Sequence, residues 1–293
     1  FAWDDRRSEV SSYVAATGMS EAWVQVLDLV NGQRGGTATN VMVSISKPQE
    51  GMHSLLTDVV DGVLRDRGRH GVFTVANTIF PSALYNDPGF EWVPSLPSDA
   101  VQELDDAASE LYEAYLDSLP TLQRIPANRG GTYFSRMISW PGKTLTGNNQ
   151  LARRIRALRS EHTQGRMVSN ASDITVEGEA DDAGGVLEEY VISDTRTRGF
   201  PCLVHIDISV REGALSLLAV YRSWHLLTRG YGNLIGLARL QAFLCQQTGY
   251  AAGELAVVAG HADAEHGDYS GRAGVSHVLS MANDALAEDA VLS

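Results

Sequence analysis

The chain has 293 residues and a formal net charge of −13 at pH 7. Hydrophobic residues make up 44% and charged residues 20%, a balance typical of a folded globular protein whose core needs no disulfide or metal. The negative charge argues against a nucleic-acid-binding surface, because contacts with phosphates need clustered Lys and Arg. The sequence has no apolar run of about 18 residues, so we expect no membrane span.

The cysteine content indicates the compartment. Two cysteines, Cys202 and Cys245, do not make a disulfide framework and favour a reducing environment. Residues 1–7 lack the pattern of a signal peptide. We therefore expect a cytoplasmic protein.

The elements of the first half are predicted from the spacing of apolar residues. Helical spacing is typical of amphipathic helices, and β-branched runs are typical of strands. In chain order the predicted elements are a helix over 10–31, a glycine-rich loop over 32–37, a strand over 41–45, a helix over 52–66, a short strand over 72–75, a turn-rich connection over 81–97 and an acidic helix over 98–118.

The second half continues with a different pattern, in which alternating strands become prominent. Its predicted elements are a basic helix over 150–159, a strand that begins at 166–169, a surface insertion around 176–199, strands over 203–210 and 215–221 that form a hairpin, a helix over 233–247 and a strand over 255–258. No repeat, linker or low-complexity segment divides the chain. We therefore expect one α+β domain over residues 1–293.

Chemically distinctive residues are concentrated after the predicted insertion. Cys202 begins a strand, the pair Arg222-Ser223 ends the next strand, and Asn233 opens a helix. A thiolate is the nucleophilic form of cysteine, and a neighbouring guanidinium lowers its pKa. Arg and Ser together can hold a phosphate, and an asparagine amide suits one edge of a base. The combination indicates covalent chemistry on a nucleotide, although a buried structural cysteine is the alternative.

The spacing of these residues resembles that of the thymidylate synthase family. Pro201-Cys202, Arg222-Ser223 twenty residues after the cysteine, and Asn233 eleven residues after the arginine fall at that family's intervals. More loosely, Arg34 is similar to its N-terminal phosphate-binding arginine, and Arg166 to an arginine that reaches the partner subunit. The resemblance implies a single-domain thymidylate-synthase-like fold, with a large mixed sheet flanked by helices, in a homodimer.

The resemblance also implies roles. Cys202 would add to C6 of a pyrimidine nucleoside monophosphate, and C5 would then attack a one-carbon unit from 5,10-methylenetetrahydrofolate. Arg222 would keep the sulfur ionised and bind phosphate. Asn233 would contact the base, which leaves uracil and cytosine both open. The other phosphate ligands would be Ser223, Arg34 and a partner's Arg166.

Several positions depart from the family pattern. His225 stands where an aspartate of the family holds the folate pterin. A histidine can donate or accept a hydrogen bond, but it does not provide a fixed negative charge for the pterin. Asp263 and Glu265 replace the His and Tyr that bind the sugar, and two carboxylates could bind a vicinal diol. Asp58 is the nearest match to the general-base glutamate, on a shorter stem. It could equally be a solvated helix residue.

These departures leave alternatives open. The enzyme would be a methylase or a hydroxymethylase; the other possibility is a divergent paralogue that binds a nucleotide without catalysis. His261, Asp263 and Glu265 would share one face of a strand, with His266 adjacent, which also allows a metal site of nitrogen and oxygen ligands. The two carboxylates lead to the hypothesis of a ribonucleotide or another unusual nucleotide, and the choice between ribose and deoxyribose is left open.

Overall fold

The computed structural model describes residues 12–125, 128–141, 144–165, 173–176 and 202–292. The strand predicted to begin at 166–169 lies outside these residues. So does the predicted insertion at 176–199, apart from its first residue.

Within the described residues, six strands form one mixed sheet in the order β1-β2-β6-β5-β4-β3. β1 pairs parallel with β2 and β5 pairs parallel with β6, whereas the other neighbours are antiparallel. The predicted hairpin is confirmed as β4–β5, whose turn places Glu212 and Gly213 at positive φ. The strands are β1 Tyr13–Ala16, β2 Thr37–Ile45, β3 Asp173–Thr175, β4 Leu203–Arg211, β5 Ala214–His225 and β6 Ala251–Asp263.

Helices surround this sheet, so the predicted α+β class is confirmed. They are α1 Met19–Asn31, α2 Ser54–Asp66, α3 Val72–Ala76, α4 Ser98–Leu122, α5 Tyr133–Ile138, α6 Gln150–Gln164, α7 Tyr231–Thr248 and α8 Gly271–Leu292. A π-helical turn, Leu226–Gly230, joins β5 to α7. In the part of the chain that the structure describes, no helix has both the length and the apolar character needed to cross a bilayer.

The two faces of the sheet differ in burial. Alternate residues of β5, such as Leu215, Leu217 and Ala219, are fully or almost fully buried on the face that α7 covers. α7 is buried around most of its circumference, which makes it the central helix of the core. The opposite face carries apolar side chains that stay partly exposed: Met42, Leu218, Val220, Ala256 and Val258.

The strand predicted over 72–75 is wrong, because these residues form α3. The Asp61 carboxylate accepts a hydrogen bond from Val72 N–H at 2.7 Å and so satisfies the start of the helix. α3 packs closely on α7, where a Cβ at Gly232 or Gly236 would lie 2.6–2.7 Å from a carbonyl oxygen of α3. Tertiary packing therefore overrides the β-propensity of this run.

The helix predicted over 10–31 is also wrong in its first part. Residues 13–16 form β1, and α1 begins only at Met19. Gly18 separates the two elements, where a Cβ would lie 3.1 Å from Gly51 Cα. The parallel pairing of β1 with β2, which brings Tyr13 opposite Met42, is a long-range contact that apolar spacing does not encode.

The regular pairing of β2, β6 and β5 is interrupted at the same position along all three strands. Asn40 has a positive φ of 54°. Asn40, Gly260 and Arg222 are skipped in the pairing of β2 and β5 with β6, whereas their neighbours are paired. Beyond this level, two rows of polar residues cross the sheet. One row is Thr39, His261 and Ser223, and the next is Thr37, Asp263 and His225.

Candidate active site

Cys202 is partly exposed immediately before β4, and strand pairing brings it beside Arg222. The Arg222 N–H donates to the Cys202 carbonyl at 2.8 Å. The sequence separation of these residues matches the length of one hairpin, so β4 and β5 return the chain to the same end of the sheet. The predicted association of Cys202 with Arg222 is therefore present at the backbone level.

Tyr133 is a site residue that the sequence prediction missed. Its hydroxyl oxygen accepts hydrogen bonds from the N–H groups of Cys202 and Leu203, at 3.2 and 3.4 Å. Tyr133 begins α5, whose start is fixed by a reciprocal capping box between Thr132 and Ser135. The Thr-x-x-Ser pattern indicates a helix start, but only the tertiary fold shows that this helix meets β4.

The pKa of the Tyr133 hydroxyl depends on its burial and on the charges of Cys202 and Arg229. Burial raises its pKa above the usual value, and a charge on Cys202 would raise it further. The Arg229 guanidinium opposes this effect. Tyr133 therefore keeps its hydroxyl hydrogen at neutral pH, which suits a hydrogen bond to a bound ring or water.

Two buried polar atoms near this group have no hydrogen-bond partner among the described residues. Burial raises the pKa of Tyr221 well above its usual value, and the neighbouring Tyr133 and Cys202 contribute. The Tyr221 ring stacks on Trp224, with centroids 5.8 Å apart and an interplanar angle of 24°. Neither Tyr221 Oη nor Trp224 Nε1 has a hydrogen-bond partner in the described part of the chain. Unpaired buried groups of this kind are uncommon in folded proteins.

Asn233 is placed by the π-helical turn in the first turn of α7. Its side chain is only 3% exposed, yet its amide makes no hydrogen bond to any described residue. Ser223, in β5, is partly exposed beside His261 of β6. An amide that is buried and unpaired is available to a ligand, as the sequence prediction for Asn233 requires.

Of three further predicted residues, Arg34 and Asp58 make no hydrogen bond to Cys202. Arg34 is exposed in the short 3-10 turn before β2. Asp58 is exposed on α2, and no hydrogen bond or ion pair joins it to a described residue. Arg166 lies outside the described residues. A cavity of about 320 Å³ opens between the Arg34 loop and the first polar row, lined in part by Gln33 and His261.

The two carboxylates at the end of β6 already have protein partners. Glu265 Oε2 and Oε1 accept hydrogen bonds from the N–H and the hydroxyl of Thr228, both at 2.7 Å. Asp263 Oδ1 accepts from the Glu265 N–H at 2.6 Å. His225 Nδ1 lies 4.0 Å from Asp263 Oδ2 and 3.9 Å from Glu265 Oε1. Of the four carboxylate oxygens, Asp263 Oδ2 is the one that accepts no hydrogen bond from a described residue.

The metal alternative is wrong for the described residues. Among them, no group of three or more His, Cys, Asp and Glu side chains is arranged to hold a metal ion. His266, instead of joining Asp263, contacts Asn31 Oδ1 through Nε2 at 2.8 Å. Glu265 likewise directs both oxygens to Thr228.

No protein-family model matches the sequence, and no curated protein matches it. The chemistry of the site must therefore be argued from its own residues. The partly exposed Cys202 lies beside Tyr133 and the strand that carries Arg222. The next helix carries Asn233, whose amide makes no hydrogen bond to a described residue. Such an arrangement can make a covalent bond to a polar ring and hold that ring by hydrogen bonds.

Proposed function

We propose that this chain is a thymidylate-synthase-like transferase that adds a one-carbon unit to C5 of a pyrimidine nucleoside monophosphate. The observation that carries the proposal is the meeting of Cys202, Arg222 and Tyr133 at the start of β4. The thiol is accessible there, and both the cation and the phenol belong to elements fixed by backbone hydrogen bonds. The resemblance in residue spacing supports the same assignment.

The proposed reaction begins when the Cys202 thiolate adds to C6 of the pyrimidine. Electron density then moves to C5, which forms a bond to the one-carbon unit and loses its proton. Tyr133 Oη accepts two backbone N–H groups and so keeps its own hydrogen for a bond to the ring or to water. Elimination restores the C5–C6 double bond and releases Cys202 as a thiolate. For balance, the C5 proton would pass to water and the bond from the one-carbon unit to the folate nitrogen would break. That unit would gain a hydride from the reduced folate for a methyl product, or hydroxide from water for a hydroxymethyl product.

The nucleotide would lie between the Arg34 loop, β5 and α7. Arg222, Ser223 and Arg34 would bind its phosphate, together with the partner's Arg166. The cavity beside His261 gives the phosphate or sugar room at this edge. Asn233 would bond to the base through its free amide. Asp263 keeps one oxygen for a sugar hydroxyl.

The proposed cofactor is 5,10-methylenetetrahydrofolate, which supplies the one-carbon unit when bound. His225 is the chain's residue for contact with the pterin. Its side chain is 39% exposed, and its Nε2 has no partner among the described residues, so it fits a hydrogen bond to a polar ring edge. Two carboxylates near Nδ1 favour a hydrogen on that nitrogen, which leaves Nε2 as the acceptor.

We propose a homodimer, in which a second copy covers the partly exposed face of the sheet. This face presents a central apolar band, with Met42 39% exposed. A second copy would bury this band and bring its own Arg166 towards the polar rows at the end of β5 and β6. The molecular mass in solution tests this, and a monomer at micromolar concentration would contradict it.

Tritium release from C5 of labelled UMP, dUMP, CMP and dCMP, with and without the folate, tests the reaction. We expect release with the wild type and none with Cys202→Ala. Cys245→Ala is the matched control, because Cys245 is 7% exposed on the far part of α7 and should leave release unchanged. Tight nucleotide binding without release or adduct would contradict the enzyme and favour the second candidate.

The second candidate is a non-catalytic nucleotide-binding paralogue. The exposure of Asp58, without a contact to the site, favours it, because the family's general base would then have no equivalent. Asp58→Asn decides between the two roles of this residue. Loss of tritium release in this variant supports Asp58 as an acid or base, whereas unchanged release assigns it to the solvated helix surface.

A further inference from the structure

The π-helical turn Leu226–Gly230 connects the groups of the proposed site. It follows His225 at the end of β5 and leads into α7, in which Asn233 is the third residue. Arg229, within the turn, is the cation that offsets the effect of burial on the pKa of Tyr133. The position of this one turn therefore sets both the Asn233 amide and the charge that acts on Tyr133.

Glu265 holds the turn from the side of β6. Its two carboxylate oxygens accept hydrogen bonds from the N–H and the hydroxyl of Thr228, and the residue is only 7% exposed. Free N–H groups at the start of a helical segment attract a carboxylate, and α7 has no side-chain cap of its own. A charge-assisted pair shielded from water fixes geometry more firmly than a surface bond does.

Glu265 is itself held in an unusual conformation. Its φ of 59° lies in the left-handed region, which non-glycine residues adopt rarely. The hydrogen bond from its N–H to Asp263 maintains this conformation. Backbone strain of this kind persists where the surrounding structure determines the position closely.

α1 holds the opposite side of the turn. Trp23 is fully buried and donates from Nε1 to the Leu226 carbonyl at 2.8 Å. Gly230 lies close to the same indole, where a Cβ would be 3.4 Å from it. The turn is therefore fixed between a rigid aromatic ring and a paired carboxylate.

We propose that Glu265 is a positioning residue, which sets the base selectivity of the site by holding Asn233 and Arg229 through Thr228, and that it does not bind the sugar. This inference rests on the proposed function. It also reassigns a residue whose place in the sequence suggests a sugar ligand. Glu265 is almost fully buried and both of its oxygens already accept from Thr228, so little of the carboxylate is accessible to a sugar hydroxyl.

The test compares Glu265→Gln with Glu254→Gln, a matched change in β6, which precedes Glu265, at an exposed residue that accepts from Ser44. Dissociation constants are measured for UMP, dUMP, CMP and dCMP. We expect Glu265→Gln to weaken binding roughly tenfold or more and to change the ratio of UMP to CMP affinity. The ratio of ribo- to deoxyribonucleotide affinity should stay the same, and Glu254→Gln should match the wild type.

A second variant tests the route through Thr228. Thr228→Val should reproduce the change in base selectivity, and the double variant should add little to either single change. Hydrogen exchange of the amides in 226–233 gives a readout without ligand. We expect exchange to become faster in Glu265→Gln and to stay unchanged in Glu254→Gln.

Three results would overturn the inference: a changed ribo-to-deoxyribo ratio, an unchanged UMP-to-CMP ratio, or unchanged exchange over 226–233. A wild type that binds none of the four nucleotides would refute the proposed function instead. In that case the exchange measurement still decides whether Glu265 positions the turn.

Discussion

Two clusters of polar residues at the same end of the sheet differ in whether their buried polar groups have hydrogen-bond partners. In the strand beside Cys202, Tyr221 Oη and Trp224 Nε1 are buried without partners in the described chain, and on α7 the amide of Asn233, a residue 3% exposed, makes no hydrogen bond to a described residue. Around Glu265, the carboxylate and both Thr228 donors are paired at 2.7 Å. An unpaired buried group costs about 1–3 kcal/mol, whereas a paired one contributes to stability. The first cluster is therefore suited to a ligand and the second to support.

The largest expected difference is in the rate at which the two cysteines react with an alkylating reagent. We expect iodoacetamide at about pH 8 to label Cys202 at least a hundredfold faster than Cys245. Cys202 is partly exposed, whereas burial, with a smaller effect of Glu91, raises the pKa of Cys245 to about 12. Mass spectrometry of the labelled peptides checks this. UMP should slow labelling at Cys202 alone; equal labelling of both thiols would contradict the expectation.

Two asparagines give a matched pair, since Asn233 and Asn31 are each 3% exposed. Asn31 bonds to Ser276 and His266, at 3.0 and 2.8 Å. Asn31→Ala should lower the free energy of unfolding by about 1–3 kcal/mol and leave nucleotide affinity unchanged. Asn233→Ala should do the reverse, weakening nucleotide binding roughly tenfold or more with little loss of stability.

Urea unfolding and calorimetric titration measure the two quantities for this pair. A loss of stability in Asn233→Ala as large as that in Asn31→Ala would break the comparison, because it would show that the Asn233 amide already has a partner in the free protein.

Alkaline pH should destabilise the protein through buried acids. Burial raises the pKa of the Cys245 thiol from 9.0 to about 12, and burial likewise raises that of Tyr115 from 10.0 to about 12. The folded state thus keeps protons that the unfolded chain loses, so stability falls as pH rises from 9 towards 12. Cys245→Ala should reduce this slope by up to about 1.4 kcal/mol per pH unit. An unchanged slope in denaturant titrations at several pH values would contradict this.

The smallest expected effect is a difference in stability between variants of two buried tyrosines. Tyr231 Oη shares a buried 2.7 Å hydrogen bond with Ser20, whereas Tyr221 Oη has no partner among the described residues. Tyr231→Phe should cost about 1 kcal/mol of unfolding free energy, and Tyr221→Phe should be neutral or stabilising. Thermal unfolding of both variants checks the pair. If Tyr221→Phe costs as much as Tyr231→Phe, the two hydroxyls do not differ as described.

Some features were predictable because they depend on neighbours in the chain. The β4–β5 hairpin follows from alternation around a Glu-Gly turn, and it brings Arg222 beside Cys202 whatever the rest of the fold does. The start of α7, with Asn233 in its first turn, follows from helical spacing. The approach of Tyr133 to Cys202 spans 69 residues, and no local pattern encodes it.

The sequence by itself determined the α+β class, the hairpin that carries Cys202 and Arg222, and the place of Asn233 near the start of a helix, because local propensity and apolar periodicity are sufficient for these. Only the tertiary structure decided that residues 72–75 are helical, because the glycines of α7 accept a helix there. It also decided the partner of Glu265. A carboxylate bonds to whichever donor the fold brings within reach, and here that donor is Thr228, 37 residues away.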